Sequence, residues 1–293
     1  MYNAVKMELY RMVRMKSFYV MIIVMAALTF ITTWAVDSER SYYEDTAQES
    51  GQNMDRAMQE AEESLESTEE EEGIVIGMQA SMPDDDVSDV TLLDMAFSNL
   101  QSMILAFYLA IFVVLFCGAD FSSGYIKNFV GQAKSRTRLV VAKAVAMSVY
   151  TIGMLLLFLG VQAVASGVFL GYIHMGDAGS FFSYLAVQAV LHIAFVMICL
   201  AIVLVSRSTV ISMIFAICIC WNVLSLLYMG IDRIANKIGV KDFSFSTYTI
   251  SGRIRMLSDT FSRQDSIETL AVAAVYLILA FVVGSVAFTK KDI

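Results

Sequence analysis

Few residues in this chain could make or break bonds, and their spacing does not favour it. The two histidines, His174 and His192, have no HExxH, GxSxG or CxxC run beside them, and no pair of apolar-segment aspartates offers acid–base work. A phosphate-cradling loop needs glycines followed by Lys-Ser/Thr. Gly118 and Gly124 have the wrong spacing for one, and Tyr125 follows. Cys218 and Cys220 are soft ligands, but two residues apart on a helix they point about 200° away from each other. With Cys117 and Cys199 they fall in or beside apolar runs, where thiols act as small hydrophobes. The expectation is a chain that is not itself an enzyme and that binds no metal and no cofactor. What remains is electrostatic chemistry, concentrated in "CGADFSSGYIKNFVGQAKSRTRLVVAK". There Lys127, Lys134, Arg136, Arg138 and Lys143 face a lone acid, Asp120.

The elements that must position this stretch are apolar. Hydrophobic residues make up 58% and charged residues only 16% of 293, against roughly 45–50% and about 25% in soluble chains. The apolar residues cluster in runs near the roughly 20 residues that cross a bilayer core. Backbone groups cannot stay unpaired in lipid, so such runs are helices. The pattern predicts an all-α polytopic membrane protein with six spans, at 18–36, 99–118, 144–172, 181–205, 210–230 and 269–288. The first lacks a cleavage site and reads as an uncleaved anchor.

Charge orients the bundle. With the N-terminus inside, segments 1–17, 119–143, 206–209 and 289–293 are cytoplasmic and hold twelve basic residues against three acids. Positive residues in short loops face the cytoplasm, which favours N-in and C-in. The external loop 37–98 is the reverse: residues 37–94 carry nineteen acids and two basic residues, a net charge near −17. Acid blocks such as "EEEE" usually stay solvated, although Met54, Met58, Ala61 and Leu65 follow a helical period. Such a loop could also attract cationic ligands. "SDVTLLDMAFSNL" reads as a helix capped by Ser88 and leading into span two.

Inside the spans formal charge is nearly absent, which argues against an ion-coupled transporter. Polar side chains do recur: Tyr184, Gln188 and His192 at four-residue steps, Gln162 and Ser166, and Asn222 with Ser225. They suit interhelical hydrogen bonds or, alternatively, the lining of a substrate path. Ala163, Gly167 and Gly171 form a small-residue run that would let another helix pack closely. The loop 231–268 carries Phe243, Phe245 and Tyr248 as candidate interfacial rings, and Ile231, Ile234 and Ile238 continue the fifth span as an apolar stripe.

A six-span chain whose second span runs into "FCGADFSSGYIKNFVGQAKSRTRLVVAK" resembles the permease subunits of ABC-2 type, ATP-driven transporters. Asp120, Phe121, Gly124, Ile126, Lys127 and Asn128 carry the likeness, followed by Ser135, Arg136 and Lys143 opening span three. "KMELYRMVRMKSFYV" resembles the amphipathic interfacial helix those proteins place before span one, and "FTKKDI" their short basic tails. The long acidic first loop departs from the pattern. The resemblance implies that the loop 119–143 docks on a separate ATPase subunit, with the N-terminal helix as second contact. The coupling residues would be Glu8, Arg11, Asp120, Gly124, Lys127, Asn128, Lys134, Ser135, Arg136 and Arg138. ATP and Mg would sit on that partner. Positive-inside topology and anionic lipid explain Lys134, Arg136 and Arg138 without any partner. The resemblance further implies two permease chains, identical or not, enclosing a path across a bacterial cytoplasmic membrane, with no nucleic acid involved. An amphipathic or cationic peptide or hydrophobic toxin is the expected cargo, a drug-like or lipid-linked molecule the alternative. A rival of another class is a membrane sensor or scaffold with an acidic ectodomain.

Overall fold

The computed structural model describes residues 2–50, 90–122, 136–175, 177–240, 243–258 and 262–290. All regular elements among them are helical: α1 Tyr2–Arg14, α2 Lys16–Ser50, α3 Leu92–Gln101, α4 Ile104–Ser122, α5 Arg136–Phe169, α6 Ala178–Ser206, α7 Thr209–Cys220, α8 Ser225–Lys237, a 3₁₀ turn Phe245–Tyr248, α9 Ile250–Met256 and α10 Arg263–Lys290. Five helices (α2, α4, α5, α6 and α10) are long and apolar enough to cross a membrane, six if the bent pair α7 and α8 counts as one span.

The apolar character of each helix decides its place. α6 is apolar all round and takes the centre, packed by α4, α5, α7, α9 and α10. Its Leu191, Ala194, Phe195, Val196 and Val203 are fully enclosed. α2 and α10 are less apolar and peripheral, and they leave Ile23, Ile31, Trp34, Ile278, Leu279 and Val282 exposed. Soluble monomers rarely expose contiguous apolar faces of this kind; hydrocarbon is the solvent that suits them.

Several boundaries differ from the sequence reading, each for a local reason. α2 does not stop at residue 36 but continues to Ser50, because no Gly or Pro intervenes before Gly51. The second span begins at Ile104 rather than 99. Met103, at φ 64, separates α4 from the short buried helix α3. α3 is capped by Thr91, whose hydroxyl accepts from Asp94 N while Asp94 Oδ2 accepts from Thr91 N at 2.8 Å. Ser88, the expected cap, lies outside the described residues, as do Met54, Met58, Ala61 and Leu65. α5 starts at Arg136, so Lys143 stands two turns inside the helix instead of opening it. The fifth apolar run folds as two helices at an angle. α7 ends at Cys220, Asn222 takes a left-handed φ of 57, and α8 leaves at 61° to α7.

Candidate functional site

α1 is amphipathic, and its two faces meet different surroundings. Lys6, Tyr10 and Arg14, four residues apart, are exposed, with the Arg14 guanidinium 5.3 Å from the Tyr10 ring centre. The opposite face turns Glu8 and Met12 inward, and Glu8 is 0% exposed. A buried carboxylate is costly unless paired. Here the pairing comes from two helices far along the chain.

Glu8 Oε2 lies 3.2 Å from Lys143 Nζ on α5 and 3.0 Å from Arg11 Nη2 one turn on. Arg11 also donates to Asp120 near the end of α4, and Lys143 pairs with the other oxygen of Asp120. The result is a ring of two acids and two bases of alternating sign. Asp120 and Lys143 are each 1% exposed. Phe116, one turn before Asp120, floors the ring: its centre is 4.3 Å from the Arg11 guanidinium carbon and 5.1 Å from Lys143 Nζ. Both distances suit cation–π attraction.

Breaking one partner of a buried ion pair costs about 3–5 kcal/mol, since a charge is left behind in a low-dielectric site. α1 is thereby strapped to α4 and α5, the two helices that flank residues 123–135. A displacement of either helix end cannot leave α1 behind without separating these charges.

Glu8, Arg11 and Asp120, expected at a coupling surface, bind one another and Lys143 within the chain. Lys143 belongs to the site although only its position before a span was noted. The signal for it was in the sequence: Glu8 and Asp120 are isolated acids in otherwise basic segments, and each needs a nearby cation. Gly124, Lys127, Asn128, Lys134 and Ser135 lie outside the described residues. Arg136 is the first residue of α5, and Arg138 is exposed.

The polar residues of the spans are brought together, but inside the bundle. Gln162 Nε2 donates to Thr33 Oγ1 at 3.0 Å, and Asn99 Nδ2 donates to Gln162 Oε1 at 3.3 Å, which joins α2, α3 and α5. Gln188 Nε2 donates to Tyr184 OH at 2.9 Å and to the Ile254 carbonyl of α9 at 3.3 Å. His192 Nδ1 faces the Gln188 carbonyl at 2.8 Å. Tyr184, Gln188, His192 and Gln162 are all 0% exposed. Gln162 and Gln188 thereby join helices, and the Tyr184 and His192 contacts lie within α6. Asn222 does border a small pocket at the break of the fifth span.

Among the described residues no second helix packs closely on Gly167 or Gly171. α5 ends at Phe169, Gly171 turns the chain at φ 77, and a Cβ there would meet nothing within 4 Å. A Cβ on Gly167 would touch only Ile173 of the following turn. The close approach occurs elsewhere. A Cβ on Gly118 would come within 2.4 Å of Thr209 Oγ1, and this glycine lets α7 start against α4.

No curated protein matches the chain. One family model does, described as "Protein of unknown function (DUF2705)", over residues 75–293. The match takes in Asp120, Lys143 and the broken fifth span, while Glu8 and Arg11 precede it. It spans well over half of the sequence, and the chain belongs to the DUF2705 family.

Proposed function

We propose that the chain is the membrane subunit of an exporter driven by a separate ABC-type ATPase, with 119–143 as the loop that docks on it. One observation carries the reading. The Glu8–Arg11–Asp120–Lys143 ring ties α1 to both helices that bracket this loop. A force applied by an ATPase to the loop would reach α4 and α5 at the ring, and α1 would move with them. The exposed cations Lys6, Arg14 and Arg138 supply further contact surface for the ATPase or for anionic lipid.

In this reading both termini are cytoplasmic, the membrane is the bacterial cytoplasmic membrane, and two such chains enclose the path. The nineteen acids of 37–94 support a cationic or amphipathic peptide as cargo, drawn in by electrostatic steering. ATP and Mg bind the partner subunit.

The test is a mild-detergent pull-down of tagged chain from its native host, with co-purifying proteins identified by mass spectrometry. A variant with Lys134, Arg136 and Arg138 changed to Glu is run beside it. An ATP-binding subunit recovered with the wild type and reduced in the variant supports the reading and the docking loop together. If no ATPase is captured even after crosslinking, the reading fails and a sensor or scaffold takes its place.

A further inference from the structure

The break in the fifth span leaves a pocket of about 220 Å³ between the α7–α8 junction, the 3₁₀ turn and α9, bordered by Asn222, Ser225, Asp232 and Arg255. At 1.5 Å per residue the break lies about 18 Å along α7 from Thr209, in the far half of an apolar layer about 30 Å thick. Irregular backbone at such depth persists where it is buried in protein or lines a cavity, and interrupted helices commonly hold polar ligands. Arg255 Nη2 donates to the Cys220 carbonyl at 2.6 Å and closes the end of α7. Its Nε is buried with no partner, and so is Ser225 Oγ. Asp232 Oδ1 accepts from Phe245 N at 2.7 Å, which fixes the carboxylate at the wall. Neither Arg255 nor Asp232 enters an ion pair among the described residues.

The pocket therefore carries one charge of each sign, not paired with each other, and two donor or acceptor atoms left over. A simple anion would satisfy Arg255 but meet Asp232, and a simple cation would meet the reverse. We propose that this pocket binds a small zwitterion, its phosphate or carboxylate oxygens toward the Arg255 guanidinium and its ammonium toward Asp232. Two sources share that chemistry: the headgroup of an aminophospholipid, and a free amino-phosphate or amino acid. The proposal is independent of the coupling reading, since headgroup preference is measured with no ATPase present.

The experiment is native mass spectrometry of the delipidated full chain, titrated with phosphatidylethanolamine or phosphatidylglycerol of equal chain length. O-phosphoethanolamine is then added as a soluble competitor. The expected result is about a tenfold preference for the zwitterionic lipid. Asp232→Asn, which keeps an acceptor for Phe245 N, brings the ratio to about one, and Arg255→Gln lowers retention of both lipids. Displacement by O-phosphoethanolamine supports the free zwitterion as occupant, and retention despite it supports the lipid. Equal binding of the two lipids, a preference for phosphatidylglycerol, or no binding of any probe overturns the proposal. So does a preference unchanged in Asp232→Asn, and that variant decides alone should Arg255→Gln aggregate.

Discussion

Two regions of this molecule hold an inward-facing arginine, and they treat it in opposite ways. At one end Arg11 meets two carboxylates and a phenyl ring, Lys143 completes the ring of charges, and the site is closed. At the break between α7 and α8 Arg255 meets, among the described residues, a carbonyl and no carboxylate, and the carboxylate in the same pocket is held by a backbone N–H instead. The contrast separates a fastening from a receptacle. Charges that neutralise each other fix helices together, whereas charges held apart across a cavity leave work for something else. The neutral contacts between Thr33, Asn99 and Gln162 fall in the first class, with hydrogen bonds in place of ion pairs.

If the ring is a fastening, removing one member should be the most damaging polar change in the bundle. Asp120→Ala leaves Arg11 and Lys143 sharing Glu8 alone, and a loss of about 3–5 kcal/mol is expected in detergent unfolding. Adding Lys143→Met to it should cost less than the two single losses summed, because the members share one network. Simple additivity would show that the ring is not a unit.

Next in size is Gly252→Ala, on the receptacle side. A Cβ at Gly252 would stand 2.0 Å from the Ser246 carbonyl oxygen, a backbone atom that cannot rotate away. The expected loss is about 1–3 kcal/mol, the usual cost of overpacking, read as a lower midpoint in thermal unfolding. Gln162→Leu should come third. Interhelical hydrogen bonds in bilayers average about 0.6 kcal/mol, so a loss of around 1 kcal/mol is expected for the two broken here. A loss as large as that of Asp120→Ala would erase the distinction between charged and neutral fastenings.

The smallest effect belongs to Asp177, the exposed cap of α6. The Ser180 backbone N–H, 2.7 Å away, holds its carboxyl below the ordinary value of 3.8. A carboxyl depressed on folding adds stability that is present above its unfolded value and is lost as pH falls through the folded one. Wild type should therefore lose slightly more thermal stability than Asp177→Asn as pH drops below about 4. Parallel curves would remove the cap's contribution.

Much of the architecture was legible because hydrophobic length is a local property. The apolar runs named α2, α4, α5, α6 and α10 directly, with errors of a few residues to a turn or two at most ends. The break in the fifth span was not legible. "CWNVLS" contains no Gly or Pro, and the bend depends on Arg255, thirty-five residues later, closing the Cys220 carbonyl. The α3 cap was closer to view, since Thr91 precedes Asp94 by the three residues a capping box requires. The charge ring was half visible. Glu8, Arg11 and Asp120 stood out as functional candidates, but a contact between residues 8 and 143 leaves no periodic trace. Their pairing with one another could therefore not be read from the sequence. The polar stripe of α6 was legible only as a stripe: periodicity shows that Tyr184, Gln188 and His192 share a face, but not which helix covers it.

The ring also bears on how the bundle would respond to a membrane potential. Moving one elementary charge through the full field is worth about 2.3 kcal/mol per 100 mV. Glu8 and Asp120 balance Arg11 and Lys143, so the four travelling together carry no net gating charge. A joint displacement of α1, α4 and α5 would therefore cost the same in an energised membrane as in a depolarised one.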